Sequence, residues 1–256
     1  MAAQRVVIVK DGDAMARAAA KRLVEACSRA IAARGVFSLA LSGGSTPKKL
    51  YHLLAGEPYA GQIDWAKVEI FFGDERAVGP DHADSNFRMA SEALLNQVPL
   101  NPERVHRLHG EDALPAEAAR YQKVMAKALT HAAGKPPELD MILLGLGTDA
   151  HTASLFPHTG ALAETSAWVA ANEVPQLKTS RLTLTYPVIN AASEVVFLVS
   201  GADKVTALGH VMDGERNHAE YPAQGVRPQG DLIWMVDQAA AGGLPLALRG
   251  GNGNGA

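Results

Sequence analysis

Six short apolar runs recur along the chain, and stretches with helical periodicity separate most of them. The runs lie at residues 6–9, 36–41, 68–72, 141–144, 195–199 and 232–236. Runs that are apolar at nearly every position are typical of strands buried on both faces of a parallel sheet. We therefore predict six buried strands. Weaker extended segments are predicted at residues 104–108, 168–171 and 182–185.

Helices are predicted in most of the intervals between these strands. Asp13 is expected to cap a long helix, rich in alanine and charged residues, that ends near Gly35. Further helices are predicted from Pro47, over residues 85–95 and 115–131, and from Asp203 to Met212, with a helical turn at 187–192. This alternation predicts an α/β fold with three layers, in which helices cover both faces of a doubly wound, mainly parallel sheet.

Length and composition indicate one globular domain. Of the 256 residues, 47% are hydrophobic, which is enough for one sizeable core, and no repeat or long linker divides the chain. We predict a single domain over residues 1–248, followed by a flexible tail, rich in glycine and asparagine, at 249–256. The only cysteine, Cys27, excludes an internal disulfide and is expected to be a small buried hydrophobe. The polar stretch at 213–229 receives no role from the sequence.

Charge and hydropathy exclude several kinds of partner. The formal net charge of −3 gives no overall attraction to nucleic acid or to an anionic membrane, so an anionic ligand would need a local cluster of donors. No apolar run reaches the length of a membrane helix, and the first residues lack the apolar core of a signal peptide. We therefore expect a cytoplasmic protein without nucleic-acid or membrane partners.

Two predicted strand ends carry polar groups suited to binding an anion. Residues 42–46, Ser-Gly-Gly-Ser-Thr, connect a strand to a helix. Their hydroxyls and free N–H groups suit a phosphate, although an ordinary glycine-rich turn has the same composition. A polar loop predicted at residues 73–84 brings Asp74 and Arg76 to the end of the next strand. These side chains either contact a ligand there or remain a solvated ion pair.

A third strand end carries the first candidate for catalysis. Gly145 and Gly147 allow a sharp turn after the strand at residues 141–144, and Asp149 and His151 follow directly. Ligands of open α/β sheets bind at this edge of the sheet. An imidazole titrates near neutral pH and can act as a general base, although a lone histidine in a loop usually makes only structural hydrogen bonds.

Other chemistries fit the sequence poorly. Residues 145–150 match the dinucleotide fingerprint Gly-x-Gly-x-x-Gly/Ala, but Pro157 leaves no room for the helix that the fingerprint requires. Neither the P-loop spacing nor Gly-x-Ser-x-Gly occurs, and the nine histidines form no metal-binding pattern on a helix. The remaining groups suit hydrolysis or isomerisation of a small phosphorylated molecule.

Four motifs together resemble one family. They are Leu41-Ser-Gly-Gly-Ser-Thr-Pro47; Phe72-Gly-Asp-Glu-Arg76 with Ser85-Asn86; Gly145-x-Gly-x-Asp149 with His151-Thr-Ala-Ser-Leu-Phe-Pro157; and Arg181-Leu-Thr-Leu-Thr-x-Pro187. In this order, over residues 38–204, they are similar to the 6-phosphogluconolactonases, whose fold is shared with glucosamine-6-phosphate deaminase and ribose-5-phosphate isomerase. The resemblance implies hydrolysis of 6-phospho-D-glucono-1,5-lactone to 6-phosphogluconate in the pentose phosphate pathway, without a metal or other cofactor.

The resemblance also implies roles for individual residues. His151 would be the general base that activates water, and Asp149 would orient its ring. Arg76, with Asp74 nearby, would offset the charge of the tetrahedral oxyanion. The residues expected to hold the phosphate are Ser42, Gly43, Gly44, Ser45, Thr46, Arg181 and Lys204. The partner is then a small-molecule substrate, and the chain is expected to be a monomer or a small homo-oligomer.

One residue departs from the family pattern, and two rival functions remain. The family usually has glycine where this chain has Ala150, and a positive φ at that position would strain alanine by about 1 kcal/mol. One rival, an amino-sugar-phosphate deaminase/isomerase, would require a further acid where this chain has Leu155 and Phe156. The other rival, a non-catalytic sugar-phosphate sensor, has no need of His151 or Arg76.

Overall fold

The computed structural model describes residues 4–249. This part of the chain contains nine β-strands. In chain order they are β1 (Gln4–Val9), β2 (Phe37–Leu41), β3 (Val68–Phe72), β4 (Asp74–Arg76), β5 (Met141–Gly145), β6 (Val169–Val174), β7 (Thr179–Leu184), β8 (Glu194–Val199) and β9 (Asp231–Asp237). Six of them correspond to the apolar runs. Each of these six strands begins and ends within two residues of its predicted bounds.

Seven α-helices connect or flank the strands in the same part of the chain. They are α1 (Gly12–Arg34), α2 (Ser45–Leu54), α3 (Asn86–Ala90), α4 (Leu114–Ala128), α5 (Tyr186–Ile189), α6 (Val205–Asp213) and α7 (Leu246–Arg249). A π-helical turn, Ser91–Leu95, extends α3. Asp11, not Asp13, caps α1, because the Asp11 carboxylate accepts a hydrogen bond from the Ala14 N–H at 2.8 Å. None of the described helices is long and apolar enough to cross a membrane.

The central sheet is parallel throughout and contains a reversal in strand order. Its strands lie in the order β1, β9, β8, β5, β2, β3. From β2 the chain moves outward to β3, whereas from β5 it moves in the other direction, to β8 and then β9. The order therefore reverses between β2 and β5, which pair directly at Ala40 and Ile142. A ligand cleft forms beside such a reversal, beyond the carboxyl ends of the strands.

Helices cover both faces of this sheet. α1 and α2 pack against each other, and both belong to crossovers that run from β1 to β2 and then β3. The crossover from β8 to β9 runs in the opposite direction, so a right-handed connection places α6 on the other face. β2 and β8 are buried along their whole length, as expected of strands covered on both sides. The three-layer α/β fold predicted from the sequence is confirmed.

A second sheet consists of β4, β7 and β6. Two of its strands, β6 and β7, overlap the extended segments predicted at residues 168–171 and 182–185, whereas β4 and the pairing into a separate sheet were not predicted. Its three strands are antiparallel and separate from the central sheet. β4 lies within residues 73–84, where we expected only a polar loop, and it is three residues long. The β4–β7 pairing places Arg76 directly opposite Arg181. The second sheet thus brings together two cations that are distant in sequence.

Three smaller predictions differ from the structure. Residues 104–108 form no strand, and a single parallel bridge joins Val105 to Ile70 instead. The helix predicted over 115–131 ends at Ala128, because the backbone of the next residue is extended. The helix predicted from residue 203 begins at Val205, after a short 3-10 turn.

Two predictions concern the extent of the domain. The flexible tail predicted at residues 249–256 lies, except for Arg249, outside the described residues. That residues 1–248 form a single domain stays a prediction as well.

Candidate active site

A cleft of about 620 Å³ opens beyond the carboxyl ends of β2, β3, β5 and β8. Its walls come from the segments that follow these strands and from the hairpin that joins β6 to β7. Every residue to which the sequence analysis gave a catalytic or phosphate-binding role lines this cleft: Ser42, Gly43, Gly44, Ser45, Thr46, Asp74, Arg76, Asp149, His151, Arg181 and Lys204. The reversal in strand order, together with the second sheet that carries Arg76 and Arg181, therefore gathers all of them around one space.

Residues 42–46, which we call the Gly43 turn, lead from β2 into α2. The buried Tyr51 hydroxyl fixes the start of the turn, because it accepts a hydrogen bond from the Ser42 N–H at 2.9 Å and donates one to the Ser42 carbonyl at 2.8 Å. Burial raises the pKa of Tyr51, so this hydroxyl keeps its proton. Gly44 has a φ of +106° and directly precedes α2. The free N–H groups of the first helical turn and the neighbouring hydroxyls can bind a phosphate.

Asp74, at the start of β4, links three walls of the cleft. One of its carboxylate oxygens accepts a hydrogen bond from the Asn86 amide at 3.1 Å, and the other accepts one from the Ser154 hydroxyl at 2.7 Å. Asn86 lies directly against Gly43, where a Cβ atom would be 2.0 Å from Asn86 Oδ1. Asp74 is 7% exposed. This geometry fits a residue that holds the walls of the site together.

Asn86 and Ser154 are contributors to the site that sequence reasoning missed. Both lie inside the motifs quoted above, and Asn86 lines the cleft together with Ser154. Both side chains are buried, but neither differs in type from many other polar residues of the chain, so residue type alone does not single them out. Their role depends on the hydrogen bonds to Asp74, which join segments far apart in the chain.

Glu75, the second carboxylate of its motif, holds α3 in place and does not line the cleft. Its Oε1 atom accepts hydrogen bonds from the N–H groups of Arg76 and Asn86, and its Oε2 atom accepts one from the N–H of Phe87. The Ser85 hydroxyl donates a fourth at 3.1 Å. Burial raises the pKa of Glu75, although the three N–H groups oppose this shift. The side chain therefore anchors the N-terminus of α3.

His151 and Asp149 form a hydrogen-bonded pair on the wall of the cleft. His151 Nδ1 lies 2.5 Å from Asp149 Oδ1, and the same oxygen accepts a hydrogen bond from the His151 N–H at 3.1 Å. Burial acts to raise the pKa of Asp149, but its hydrogen bonds and electrostatic interaction with His151 outweigh burial, and the pKa is lowered. An ionised carboxylate can only accept hydrogen bonds, so Nδ1 carries the proton and Nε2 remains available as a base.

Residues 146–158, which we call the His151 loop, combine close packing with backbone strain. A Cβ atom on Gly147 would lie 2.0 Å from His151 Nδ1, so only glycine fits at this position. The His151 ring stacks on Phe156 with 4.1 Å between the ring centroids. Ala150 has a φ of +62°. The positive φ from which we expected strain at this alanine is therefore present.

Cationic side chains face the cleft from two sides. Arg76, which also donates a hydrogen bond to the Asp84 carbonyl, lies opposite Arg181 in the second sheet. Burial lowers the pKa of Arg181, and the charge of Arg76 lowers it further. An anion bound beside both guanidinium groups would relieve this repulsion. Lys204 follows β8 and forms an ion pair with Asp203 at 3.0 Å.

Comparison with known proteins gives consistent matches along nearly the whole chain. The family model described as glucosamine-6-phosphate isomerases/6-phosphogluconolactonase matches residues 10–234. A 6-phosphogluconolactonase of Nostoc sp. is 41% identical over 242 residues, which are 94% of this chain and 98% of the relative. One of Synechocystis sp. is 46% identical over 219 residues, which are 85% of this chain and 88% of the relative.

Solved structures agree with the sequence comparison. The structure of 6-phosphogluconolactonase from Trypanosoma cruzi superposes with a TM-score of 0.83 at 30% identity, over 94% of this chain and 97% of that one. The resemblance stated from the four motifs is therefore confirmed by independent comparisons of sequence and of fold. The chain belongs to the family of glucosamine-6-phosphate isomerases and 6-phosphogluconolactonases.

Proposed function

We propose that the chain hydrolyses 6-phospho-D-glucono-1,5-lactone to 6-phospho-D-gluconate, the second step of the oxidative pentose phosphate pathway. The names of the relatives described above support this substrate. One observation supports the mechanism above all: the His151–Asp149 pair shares a single cleft with the Gly43 turn and with Arg76. The reaction uses side chains of this protein and one water molecule.

Hydrolysis begins with attack of water on the carbonyl carbon of the lactone. His151 Nε2 accepts a proton from the water as the new C–O bond forms, and Asp149 stabilises the resulting imidazolium. The carbonyl oxygen becomes an oxyanion, whose charge the Arg76 guanidinium offsets. When the tetrahedral intermediate collapses, the bond to the ring oxygen breaks. His151 then returns its proton to that oxygen, which becomes a hydroxyl group of the open-chain product.

Phosphate binding places the lactone carbonyl relative to the base. We assign the phosphate to the Gly43 turn, with Arg181 and Lys204 as its cationic partners. The free N–H groups at the N-terminus of α2 and the positive end of the helix dipole support this assignment. We assign Asp74 to positioning, since its oxygens hold Asn86 and Ser154. We further propose that the enzyme acts in the cytoplasm, as a monomer or a small homo-oligomer.

The rival activity, deamination and isomerisation of an amino-sugar phosphate, has less support. It would require a further acid in the His151 loop to open the sugar ring and move protons between carbons. The positions concerned hold Leu155, which is fully buried, and Phe156, which stacks on the His151 ring. Neither side chain can transfer a proton. A sensor that only binds sugar phosphates would have no use for the close His151–Asp149 pair.

A coupled assay with freshly generated 6-phosphogluconolactone tests the proposal, after subtraction of spontaneous hydrolysis. We expect catalysed hydrolysis by the wild-type protein and no ammonia from glucosamine 6-phosphate. His151→Ala should lower kcat by about 10²- to 10⁴-fold, the usual contribution of a general base, while 6-phosphogluconate still binds. His52→Ala, which removes an exposed histidine from α2, is the matched control. Full activity of His151→Ala would exclude this mechanism, and ammonia release would favour the rival activity.

A pair of variants tests whether Arg76 stabilises the oxyanion and Lys204 binds the phosphate. Arg76→Gln should mainly lower kcat, because the oxyanion exists only near the transition state. Lys204→Gln should mainly raise KM, because the phosphate is bound equally in the ground state. The opposite result would exchange the two assignments and leave the lactonase activity itself in place.

A further inference from the structure

The polar stretch at residues 213–229 packs against the His151 loop. Two backbone hydrogen bonds join them: the Ala223 N–H donates to the Ala150 carbonyl at 3.0 Å, and the His158 N–H donates to the Ala219 carbonyl at 3.1 Å. Among the described residues that line the cleft, none comes from this stretch. Its contacts are therefore with the loop and not with the space that the substrate would occupy.

The two hydrogen bonds meet the loop at strained positions. Ala150 has a φ of +62° and His158 a φ of +60°, and a third residue between them, Ala153, has a φ of +47°. Left-handed conformations are unfavourable for residues other than glycine and persist only where the surrounding structure holds them. The bonded positions lie on either side of His151 in the chain. The stretch is thus hydrogen-bonded to both ends of the segment that contains the proposed base.

Gln224 fixes the part of the stretch that makes these contacts, residues 217–225, which we call the brace. Its side-chain amide donates hydrogen bonds to the carbonyls of His210 at 2.8 Å and Glu215 at 3.1 Å. Its side-chain oxygen accepts one from the Asn217 N–H at 2.7 Å. Gln224 is only 8% exposed. A buried amide with its partners satisfied makes the backbone around it rigid, so Gln224 ties the brace to the end of α6.

We propose that the brace is a positioning element for the general base, and that Gln224 is the positioning residue on which it depends. The brace keeps Ala150 and His158 in their left-handed conformations, and His151 then stays at a fixed place relative to the Gly43 turn. When the brace loosens, the loop relaxes towards negative φ, and the base spends less time where it can activate water. The kinetic part of this proposal rests on the proposed function, whereas the conformational part does not.

Kinetics of Gln224→Ala provide the first test, with Gln229→Ala as the matched control because Gln229 is an exposed glutamine of the same stretch. We expect kcat of Gln224→Ala to fall about tenfold, with KM within about twofold of the wild type, since only the base is displaced. Gln229→Ala should keep its activity. Adding Ala150→Gly to Gln224→Ala should recover part of kcat, because glycine adopts a positive φ without support.

Hydrogen exchange on the same variants separates a loosened loop from a general loss of stability. In Gln224→Ala, amides of residues 146–158 should exchange at least about ten times faster, while those of α2 keep their wild-type rates. Glu220→Gln weakens only the exposed contact of 2.8 Å between the Glu220 carboxylate and Nε2 of the His158 ring. This variant should fold normally and produce a smaller acceleration in the same loop.

Several results would overturn the proposal. One is unchanged exchange in the His151 loop of Gln224→Ala; another is equal acceleration throughout the protein. A raised KM with an unchanged kcat would also contradict it. If the wild-type protein hydrolyses no lactone, the proposed function fails, yet the exchange data still decide whether the brace holds the loop.

Discussion

Ala150 occupies a backbone conformation that suits glycine, and Ala150→Gly tests how much this matters. A positive φ costs alanine about 1 to 2 kcal/mol. Replacement by glycine relieves this strain. It also lowers the stability of the folded protein, by about 0.5 to 1 kcal/mol because the unfolded chain gains entropy and by about 0.8 kcal/mol because a buried methyl group is lost. These effects nearly cancel. We expect a free energy of unfolding within about 1 kcal/mol of the wild type, with equal or higher turnover.

A buried alanine with an ordinary helical backbone provides the comparison for this substitution. Ala207 lies in α6 and is 2% exposed. Ala207→Gly has no strain to relieve, so it should lower the free energy of unfolding by about 2 kcal/mol in urea denaturation. If Ala150→Gly destabilises the protein as much as Ala207→Gly, or lowers turnover strongly, the left-handed conformation at position 150 does not carry the expected strain.

Gly43 is the residue at which an added methyl group would disturb substrate binding most directly. In Gly43→Ala the new Cβ would meet the whole Asn86 amide, with 2.0 Å to Oδ1 and 2.6 Å to Cγ. Asn86 must then move and release Asp74. We expect substrate binding to weaken by about one hydrogen bond, so that KM rises about tenfold. A tenfold change corresponds to about 1.4 kcal/mol of binding free energy. Gly79→Ala, where a Cβ has open space, should leave the steady-state kinetics unchanged; an unchanged KM in Gly43→Ala would argue against the contact.

The attachment of α3 to the second sheet depends on the carboxylate of Glu75. Four donors point at its two oxygens. In Glu75→Gln one oxygen becomes an NH₂ group that faces donors, so buried N–H groups lose their acceptor. We expect the free energy of unfolding at pH 7 to fall by about 2 kcal/mol. Glu92→Gln, at an exposed pair with Arg88 in the following π-helical turn, should change it by less than about 0.5 kcal/mol.

The difference in free energy of unfolding between the wild type and Glu75→Gln should also depend on pH. The pKa of Glu75 is raised in the folded protein from its ordinary value of 4.5, chiefly by burial. The folded state therefore binds a proton more tightly than the unfolded state, and this group contributes more stability as the pH falls towards 4.5. The wild type should therefore exceed Glu75→Gln in free energy of unfolding by more at pH 5 than at pH 7. A difference that narrows from pH 7 to pH 5 would mean that the hydrogen bonds outweigh burial.

The two sheets differ in how far their sequences predict them. β5 and β8 are apolar runs whose burial follows from composition alone, so the central sheet could be predicted within two residues. β4 reads Asp-Glu-Arg and has no strand pattern of its own. It is a strand because β7 pairs with it, and β7 lies about a hundred residues further along the chain, as the pairing of Arg76 with Arg181 illustrates. Pairing between distant segments leaves no periodic signal in either one.

The same distinction applies to the candidate site. Gly43, Asp149 and His151 belong to contiguous motifs in which spacing and residue type together suggest chemistry, and all three line the cleft. Asn86 and Gln224 act through hydrogen bonds to backbone and side-chain groups elsewhere in the fold. An isolated amide in a polar segment has no sequence context that reveals such partners. The groups proposed to react, and the two aspartates beside them in the same motifs, were therefore predictable, whereas Asn86 and Gln224 were not.

The rate at which the Cys27 thiol is alkylated reports how often the whole protein unfolds. Cys27 lies in α1, packed into the main core, and is 2% exposed. Burial, with smaller effects of Asp64 and Asp140, raises the pKa of its thiol to about 12. At pH 8 the folded protein therefore offers almost no thiolate. We expect labelling by iodoacetamide to be slowed at least about a thousandfold relative to the unfolded chain, because reaction requires opening of the core.

A cysteine at an exposed position of the same helix supplies the control for this measurement. Ser28 is exposed in α1. The double variant Cys27→Ala/Ser28→Cys should react at nearly the rate of a free thiol. Rapid labelling of Cys27 in the native wild-type protein would mean that α1 separates from the sheet without global unfolding.

The pairing of β2 with β5 means that the enzyme could be divided between two polypeptides. A cut within residues 132–135, which are exposed between α4 and β5, would leave the Gly43 turn and Arg76 on one fragment and His151 and Arg181 on the other. The β2–β5 and β4–β7 pairs would still join them. Neither fragment should hydrolyse the lactone alone, but co-expressed fragments should complement each other. Turnover would then report the encounter of any two proteins fused to the halves.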